Sequence, residues 1–119
     1  MKIKQPYNAN AAAQAAVLAS LTDIEYLRAN VARIVTERER LFGKLKELDW
    51  LKPYPSQANF ILCSLPNGEA KEIWQQLRKK GIFVRHFDTS RLKDCLRISV
   101  GRPEDTDALV KALKEVKYD

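Results

Sequence analysis

Two arginines in the middle of short apolar segments are the residues of this sequence best suited to chemistry. Arg85 lies in "IFVRHF" (residues 82–87) and Arg97 lies in "CLRISV" (residues 95–100). A guanidinium group keeps its charge at any relevant pH, and burying it without a partner is costly. Its planar fork of N–H donors matches a carboxylate or a phosphate. Two such groups on one surface would form a site for a multivalent anion.

The alternation of side chains along a strand indicates where the two arginines point. If both segments are strands, Ile82 and Val84 share one face of the first strand, and Arg85 lies on the other face. In the second strand Ile98 and its aliphatic neighbours face away from Arg97. If the aliphatic faces meet the core, both arginines stand on the same outer face of the sheet.

A simpler interpretation of the two arginines stays open at this stage. Arginines on an outer sheet face are often solvated, or paired with acids such as Asp88 and Asp94. Arg91 and Arg102 flank the same segments and are expected to be solvated. His86 alternates onto the face opposite Arg85 and, with no partner in view, is expected to be a structural or surface residue.

Two helices are predicted in the first part of the chain. Residues 8–21, "NANAAAQAAVLASL", are alanine-rich and begin with asparagine, which favours a helix. A second helix is predicted from Thr22, because "TDIE" fits a capping box closed by Glu25. This long amphipathic helix ends near residue 48 and is expected to lie along one core through its apolar positions, Ile24, Leu27, Val31, Ile34, Leu41, Leu45 and Leu48.

The rest of the chain predicts a small sheet with further helices. Its elements are a turn or edge segment (49–57), a strand (58–65), a helix (67–81), two strands (82–87 and 95–100) and a helix (102–116). The order suggests one right-handed crossover followed by a hairpin. The predicted fold class is α+β, with a small, mainly antiparallel sheet covered by helices.

Composition narrows the class of protein. With 119 residues, 45% hydrophobic and 30% charged, the chain is typical of one globular domain with one core. It has no apolar run of the roughly 20 residues that span a bilayer, and no apolar segment follows the basic start "MKIKQPYNAN". A cytoplasmic location and no membrane partner are therefore expected. The net charge of +6 invites nucleic acid as a partner, but the charges are dispersed and no aromatic RNA-binding signature is present, so none is expected.

The two cysteines are expected to be reduced and structural. Cys63 and Cys95 are isolated in the sequence, and a chain able to form a core does not need a disulfide framework. Together with the single histidine, His86, they could not complete a four-ligand zinc site. No metal site is predicted.

Several motifs taken together resemble a known enzyme family. "KIKQPYNANAAAQAA", "SQANFIL", "VRHF" and "LRISVGRPEDTDALVKAL" are similar to the C-terminal part of histidinol-phosphate aminotransferases, which are pyridoxal-phosphate enzymes of fold type I. The resemblance runs from Lys2 to Val116. It implies that residues 1–119 are the smaller, C-terminal domain, with 1–21 as a linker and interdomain helix. The parent enzyme would be a homodimer whose larger domain holds most of the cofactor.

The resemblance also implies roles for individual residues. Arg97, in the "LRISVG" motif, would bind the anionic end of the substrate, a carboxylate or the phosphate of histidinol phosphate. Arg85 would assist at the phosphate. Tyr7 in "QPYN" and Asn59 in "ANFIL" are further candidates, although a packed turn tyrosine and a strand-start asparagine that satisfies the backbone are the simpler interpretations.

One expected part of the family pattern has no match in this sequence. Members carry a lysine that forms a Schiff base with pyridoxal phosphate and an aspartate at the pyridinium nitrogen, in a segment that would precede residue 1. No catalytic residue is therefore assigned, and the chain alone is predicted to be inactive, as an excised domain would be. The alternative is a free-standing, non-catalytic module that binds an anion or a partner. Relatives that act on aromatic amino acids or threonine phosphate share much of the pattern, so the substrate stays open.

Overall fold

The computed structural model describes residues 11–118, without the side chains of residues 20, 67, 117 and 118. The chain divides into two compact units, Met1–Arg33 and Ile34–Asp119. Four α-helices and four strands lie within the described residues: α1 (Ala11–Leu21), α2 (Ile24–Lys46), β1 (Lys52–Pro53), β2 (Phe60–Ser64), α3 (Ala70–Lys79), β3 (Arg85–His86), β4 (Cys95–Ser99) and α4 (Pro103–Tyr118). The α+β fold class predicted from the sequence is confirmed.

The boundary between α1 and α2 differs from the predicted capping box. The hydroxyl of Thr22 donates a hydrogen bond back to the carbonyl of Ala19 (2.6 Å), so Thr22 closes the end of α1. The residue that caps α2 is Asp23, whose carboxylate accepts the N–H of Tyr26 (3.3 Å). Threonine and aspartate are both good caps, and the prediction was wrong because the preceding turn already engages the threonine.

The apolar stripe of α2 is buried only toward its C-terminal end. Leu41 and Leu45 are fully buried, as predicted, whereas Ile24 and Val31 are 46% and 59% exposed. The expectation that the whole stripe lies along one core is therefore wrong. Helical periodicity shows which side chains share a face, but it does not show which neighbouring element covers that face.

The sheet has the strand order β1-β2-β4-β3, and every neighbouring pair is antiparallel. The predicted hairpin is thus confirmed as β3 and β4. Because β2 and β3 are both antiparallel to β4, they run parallel to each other, with α3 in the connection between them. The edge segment predicted at 49–57 contains β1, which pairs with β2.

One predicted strand, residues 82–87, is reduced to the two residues of β3. Its first half is held by the end of α3 instead of by the sheet. Gly81 has a φ of 80°, and the N–H of Ile82 donates to the carbonyl of Leu77 (2.9 Å), which closes the helix in a Schellman motif. The carbonyl of Val84 accepts the indole N–H of Trp74 (3.1 Å). The N–H of Ile82 and the carbonyl of Val84 are therefore already hydrogen-bonded outside the sheet, and the strand begins only after them.

The core of the second unit lies between the sheet and three helices. Alternate residues of the two central strands face it, and Ile61, Leu96 and Ile98 are at most 2% exposed. The helices contribute leucines and other aliphatic residues, as predicted for α4. The main contributors are Leu41 and Leu45 from α2, Ile73 and Leu77 from α3, and Leu109, Leu113 and Val116 from α4.

The turn from β4 into α4 is shaped around a carboxylate. Asp105 accepts a hydrogen bond from the backbone N–H of Arg102 (2.9 Å), and this bond, together with the guanidinium of Arg102, lowers the pKa of Asp105. A Cβ atom at Gly101 would lie 2.8 Å from a carboxylate oxygen of Asp105. An alanine at position 101 would therefore force the Asp105 side chain to move.

Candidate functional site

Arg85 and Arg97 face each other directly across two strands. They are register partners in the antiparallel pair of β3 and β4, so their side chains lie on the same face of the sheet, as strand alternation predicted. Arg85 is exposed and Arg97 is half-buried. The buried neighbours Leu96 and Ile98 point to the opposite, inner face. The two cations are thus direct neighbours on the outer face of the sheet.

Each guanidinium group lies over an aromatic ring. The Cζ atom of Arg97 is 5.3 Å from the centre of the Phe60 ring, and the Cζ atom of Arg85 is 5.2 Å from the centre of the Phe87 ring. Both distances are within the range of cation–π attraction.

No acid neutralises this pair within the part of the chain that the structure describes. No described carboxylate oxygen lies within 4.0 Å of either guanidinium group. The ion pairs with Asp88 and Asp94 that the sequence left open are therefore not formed; Asp88 instead lies 3.8 Å from the Nδ1 atom of His86. Like charges directly opposite each other destabilise a sheet. The arrangement gains stability from any anion that bridges both groups.

The same outer face continues toward the other edge of the sheet. Leu62 is the register partner of Arg97, and its carbonyl accepts the N–H of Tyr54 (2.9 Å). The Nζ atom of Lys52 lies 5.3 Å from the centre of the Tyr54 ring. Sequence reasoning did not single out these residues or Phe60, although their two-residue spacing along extended segments was a usable signal.

Of the other two candidate residues, only Asn59 lies within the described part of the chain. Asn59 is exposed just before β2, and its backbone carbonyl accepts the N–H of Val100 (2.8 Å). This bond involves the main chain alone, so the role of the Asn59 side chain stays a prediction. Tyr7 lies outside the described residues.

Arg38, which interrupts the apolar pattern of α2, is a buried cation that sequence reasoning missed. Its side chain is 9% exposed; it contacts the carboxylate of Glu39 (3.2 Å) and donates to the carbonyl of Ala58 (3.3 Å). The hydroxyl of Ser56 accepts the N–H of Ala58 and donates to the carbonyl of Phe60 (2.5 Å). These bonds fix the backbone of the segment that leads into β2, the strand that begins with Phe60.

His86 has a structural environment. Its ring stacks on Trp74 with centroids 5.6 Å apart, and its Nε2 atom lies 3.0 Å from the carbonyl of Lys93. It lies on the opposite face from Arg85, as predicted. His86 therefore does not serve as a general base at the arginine pair.

The two cysteines are buried and unpaired. Burial raises the pKa of the Cys63 thiol to about 12, and the neighbouring Cys95 adds to the shift. Cys63 pairs in register with Leu96, so Cys95 lies one position along β4 and faces the other side of the sheet. Within the described residues, no group of three or more histidine, cysteine or acidic side chains converges as a metal site. None of the helices in the described part of the chain has the length and apolar character needed to cross a membrane.

Comparison with known proteins identifies related enzymes. The family model for aminotransferase class I and II matches residues 1–113. A histidinol-phosphate aminotransferase of Dehalococcoides mccartyi is 54% identical over 97% of this chain, which covers 32% of that protein. The chloroplastic histidinol-phosphate aminotransferase 1 of Arabidopsis thaliana is 47% identical over 96% of the chain, which covers 28% of it. The chain thus spans about a third of the length of these curated relatives.

Solved structures agree with the sequence comparison. Histidinol-phosphate aminotransferase from Sinorhizobium meliloti, in complex with pyridoxal-5'-phosphate, superposes with a TM-score of 0.77 at 31% identity, over 86% of this chain and 28% of that one. The enzyme from Clostridium acetobutylicum superposes over 97% of this chain and 35% of its own with a TM-score of 0.82. At 24% identity, the second comparison supports the fold alone.

The described residues do not fit pyridoxal phosphate as a covalently bound cofactor. A lysine that holds this aldehyde needs a desolvated setting, in which its amine loses its proton readily. Every lysine whose burial is described is exposed, except Lys44, which is half-buried on α2. What the outer face offers is a pair of unneutralised cations suited to the anionic groups of a substrate.

Proposed function

We propose that this chain, which belongs to the aminotransferase class I and II family, forms the substrate-binding part of a histidinol-phosphate aminotransferase. In the whole protein, an amino group would pass from histidinol phosphate to 2-oxoglutarate. Pyridoxal phosphate supplies the electron sink for such chemistry. The proposed contribution of this chain is recognition of the anionic groups of both substrates.

The observation that carries the proposal is the opposed pair of Arg85 and Arg97 without a neutralising acid among the described residues. A phosphate dianion has enough acceptor oxygens to take charge-assisted hydrogen bonds from both guanidinium groups at once. A carboxylate has two oxygens and is satisfied by one arginine fork. Following the resemblance to the family, in which the "LRISVG" arginine binds the anionic end of the substrate, we assign Arg97 to both substrates and Arg85 mainly to the phosphate.

The sequence identity to enzymes named histidinol-phosphate aminotransferases supports the choice of substrate. A cytoplasmic location and a homodimeric parent belong to the same proposal. The 119-residue chain alone is expected to show no transamination, because none of its described lysines has the setting that Schiff-base formation requires. Turnover of histidinol phosphate by the purified chain would contradict this part of the proposal.

The test is a titration of the purified chain, followed by the NMR signals of its backbone and arginine side chains. Histidinol phosphate should shift the signals of Arg85 and Arg97, whereas histidinol, which lacks the phosphate, should not. Arg97→Gln should weaken binding of both histidinol phosphate and 2-oxoglutarate, while Arg85→Gln should weaken mainly the former. Arg91→Gln, at an exposed arginine close in sequence, is the matched control. Equal affinity of all variants for histidinol phosphate would refute the proposed site.

The absence of a buried lysine among the described residues is equally expected for the second candidate, a free-standing, non-catalytic module that binds an anion or a partner. The two candidates differ in whether Arg97 contributes to turnover. If the chain is part of a transaminase, Arg97→Gln in that transaminase lowers kcat/KM for both substrates. If the chain is a free-standing module, Arg97→Gln abolishes its binding of the anion or partner, and there is no transamination for the substitution to change.

A further inference from the structure

The aromatic rings beneath the arginine pair differ from the usual partners of a surface cation. Phe60 and Phe87 each lie under one guanidinium group, at 5.3 and 5.2 Å from its Cζ atom. Within the described residues, no hydrogen bond is found from either guanidinium group. We infer that Phe60 and Phe87 are positioning residues, which hold the two like-charged groups side by side while their N–H donors stay available to an anion.

The physical argument starts from the repulsion between the arginines. Two cations at register positions repel each other, and flexible side chains would normally separate or pair with acids. A carboxylate partner would relieve the repulsion, but it would also occupy the in-plane N–H donors. The face of an aromatic ring attracts a cation through its quadrupole and uses none of those donors. A ring is therefore the neighbour that stabilises an anion site in the absence of its anion.

The placement of the two rings fits this role. Phe60 is the register partner of Ser99, two positions along β4 from Arg97, so its ring reaches Arg97 diagonally from one side. Phe87 follows Arg85 by two residues and reaches it from the other end of the pair. The rings thus flank the two cations from different elements, which limits the directions in which the cations can separate.

Phe60 is itself fixed by its own segment. Its carbonyl accepts the hydroxyl of Ser56, and the carbonyl of Ala58 accepts a hydrogen bond from the buried Arg38. Because Phe60 already restricts the side chain of Arg97, anion binding costs less conformational entropy. This inference rests on the proposed anion site and adds the residues that pre-organise it.

The expected effects follow from the strength of exposed cation–π contacts. Replacing either ring by leucine keeps an apolar side chain but removes the quadrupole. Phe60→Leu and Phe87→Leu should each weaken binding of inorganic phosphate by about two- to five-fold. Phe60→Tyr keeps the aromatic face and should bind phosphate as the unaltered chain does. Phe83→Leu is the matched control, because Phe83 is 78% exposed and no cation of the described residues lies over its ring.

The experiment titrates inorganic phosphate into the full 119-residue chain and its variants, following the side-chain Nε–Hε signals of the arginines by NMR. In the unaltered chain the ring current of Phe60 should shift the Arg97 side-chain protons upfield. That shift should vanish in Phe60→Leu and persist in Phe60→Tyr. A thermal melt and the backbone NMR signals of β2 and β4 are recorded for each variant. A variant that keeps both is folded, so its weaker phosphate binding is a local effect.

The outcomes separate this inference from the proposed function. If the unaltered chain binds phosphate, Arg97→Gln does not, and Phe60→Leu and Phe87→Leu bind as tightly as the Phe83→Leu control, the anion site stands and the positioning role is overturned. If the unaltered chain does not bind phosphate at all, the proposed site and the positioning role both fail. Weaker phosphate binding by both leucine variants, restored in Phe60→Tyr, supports the positioning role.

Discussion

Electrostatic coupling between Arg85 and Arg97 is the most direct consequence of their register. Each single substitution by glutamine removes a ring contact and also removes the repulsion between the two charges. The double substitution removes both ring contacts but relieves the repulsion only once. The double variant should therefore be less stable than the sum of the single effects predicts, and the excess equals the repulsion energy.

The size of the repulsion can be estimated from the fold. Side chains of directly opposite residues begin about 5 Å apart, and two charges at about 7 Å in water repel by about 0.6 kcal/mol. Because Arg97 is half-buried, the effective dielectric constant is lower, which brings the expected value toward 1 kcal/mol. In about 1 M salt, where the Debye length is about 3 Å, the coupling should nearly vanish.

The assay is urea unfolding of the unaltered chain, both single variants and the double variant, at low and at high salt. Saturating phosphate should reverse the sign of the coupling, because the anion needs both cations. A parallel cycle between Arg97 and Lys111, which is exposed on α4, should show no coupling. A coupling of Arg85 and Arg97 that is zero at low salt, or unchanged by salt, would refute the view that their charges face each other.

Three further predictions concern the rest of the fold. Burial raises the pKa of Cys63 to about 12, so the unfolded chain loses the thiol proton at a lower pH than the folded chain does. The free energy of unfolding should therefore be unaffected by this group below about pH 9 and should fall by about 1.4 kcal/mol per pH unit from there toward pH 12. In urea unfolding at alkaline pH, Cys63→Ala should show a smaller decline, and identical slopes would contradict the burial argument. Gly101→Ala should displace the carboxylate of Asp105 and cost about 1 kcal/mol in urea unfolding, with Gly43→Ala, which has open space at its Cβ, as the control that should not be destabilised. Helix α1 has 11 residues, and its described side chains are all exposed, so its amides should exchange with deuterium well before those of β2 and β4; equal protection would show that α1 is docked in solution.

Strand alternation was enough to place both arginines on the outer face, because side-chain direction in a strand repeats every two residues. The same local logic identified the helices, the hairpin and the burial of Leu109, Leu113 and Val116. Motif resemblance pointed to the aminotransferase family, which the comparisons confirm. These inferences depend on residues that lie close together in the chain.

Only the tertiary structure decided which residues contact the arginines. Asp88 and Asp94 were the nearest acids in sequence, yet the observed neighbours are aromatic rings, one of them from a strand far earlier in the chain. The buried position of Arg38 depended likewise on the carbonyl of Ala58, which no local pattern indicates.

The boundaries and coverage of elements also required the folded chain. Thr22 and Asp23 are both good caps in isolation, and in the folded chain Thr22 bonds to Ala19 while Asp23 caps α2. The first half of the predicted strand at 82–87 is held by the Schellman motif after α3 and by the indole of Trp74. The sequence by itself determined conformations governed by neighbours within a few residues. Register, burial and charge pairing depend on contacts between distant segments, so they were decided only when those segments packed together.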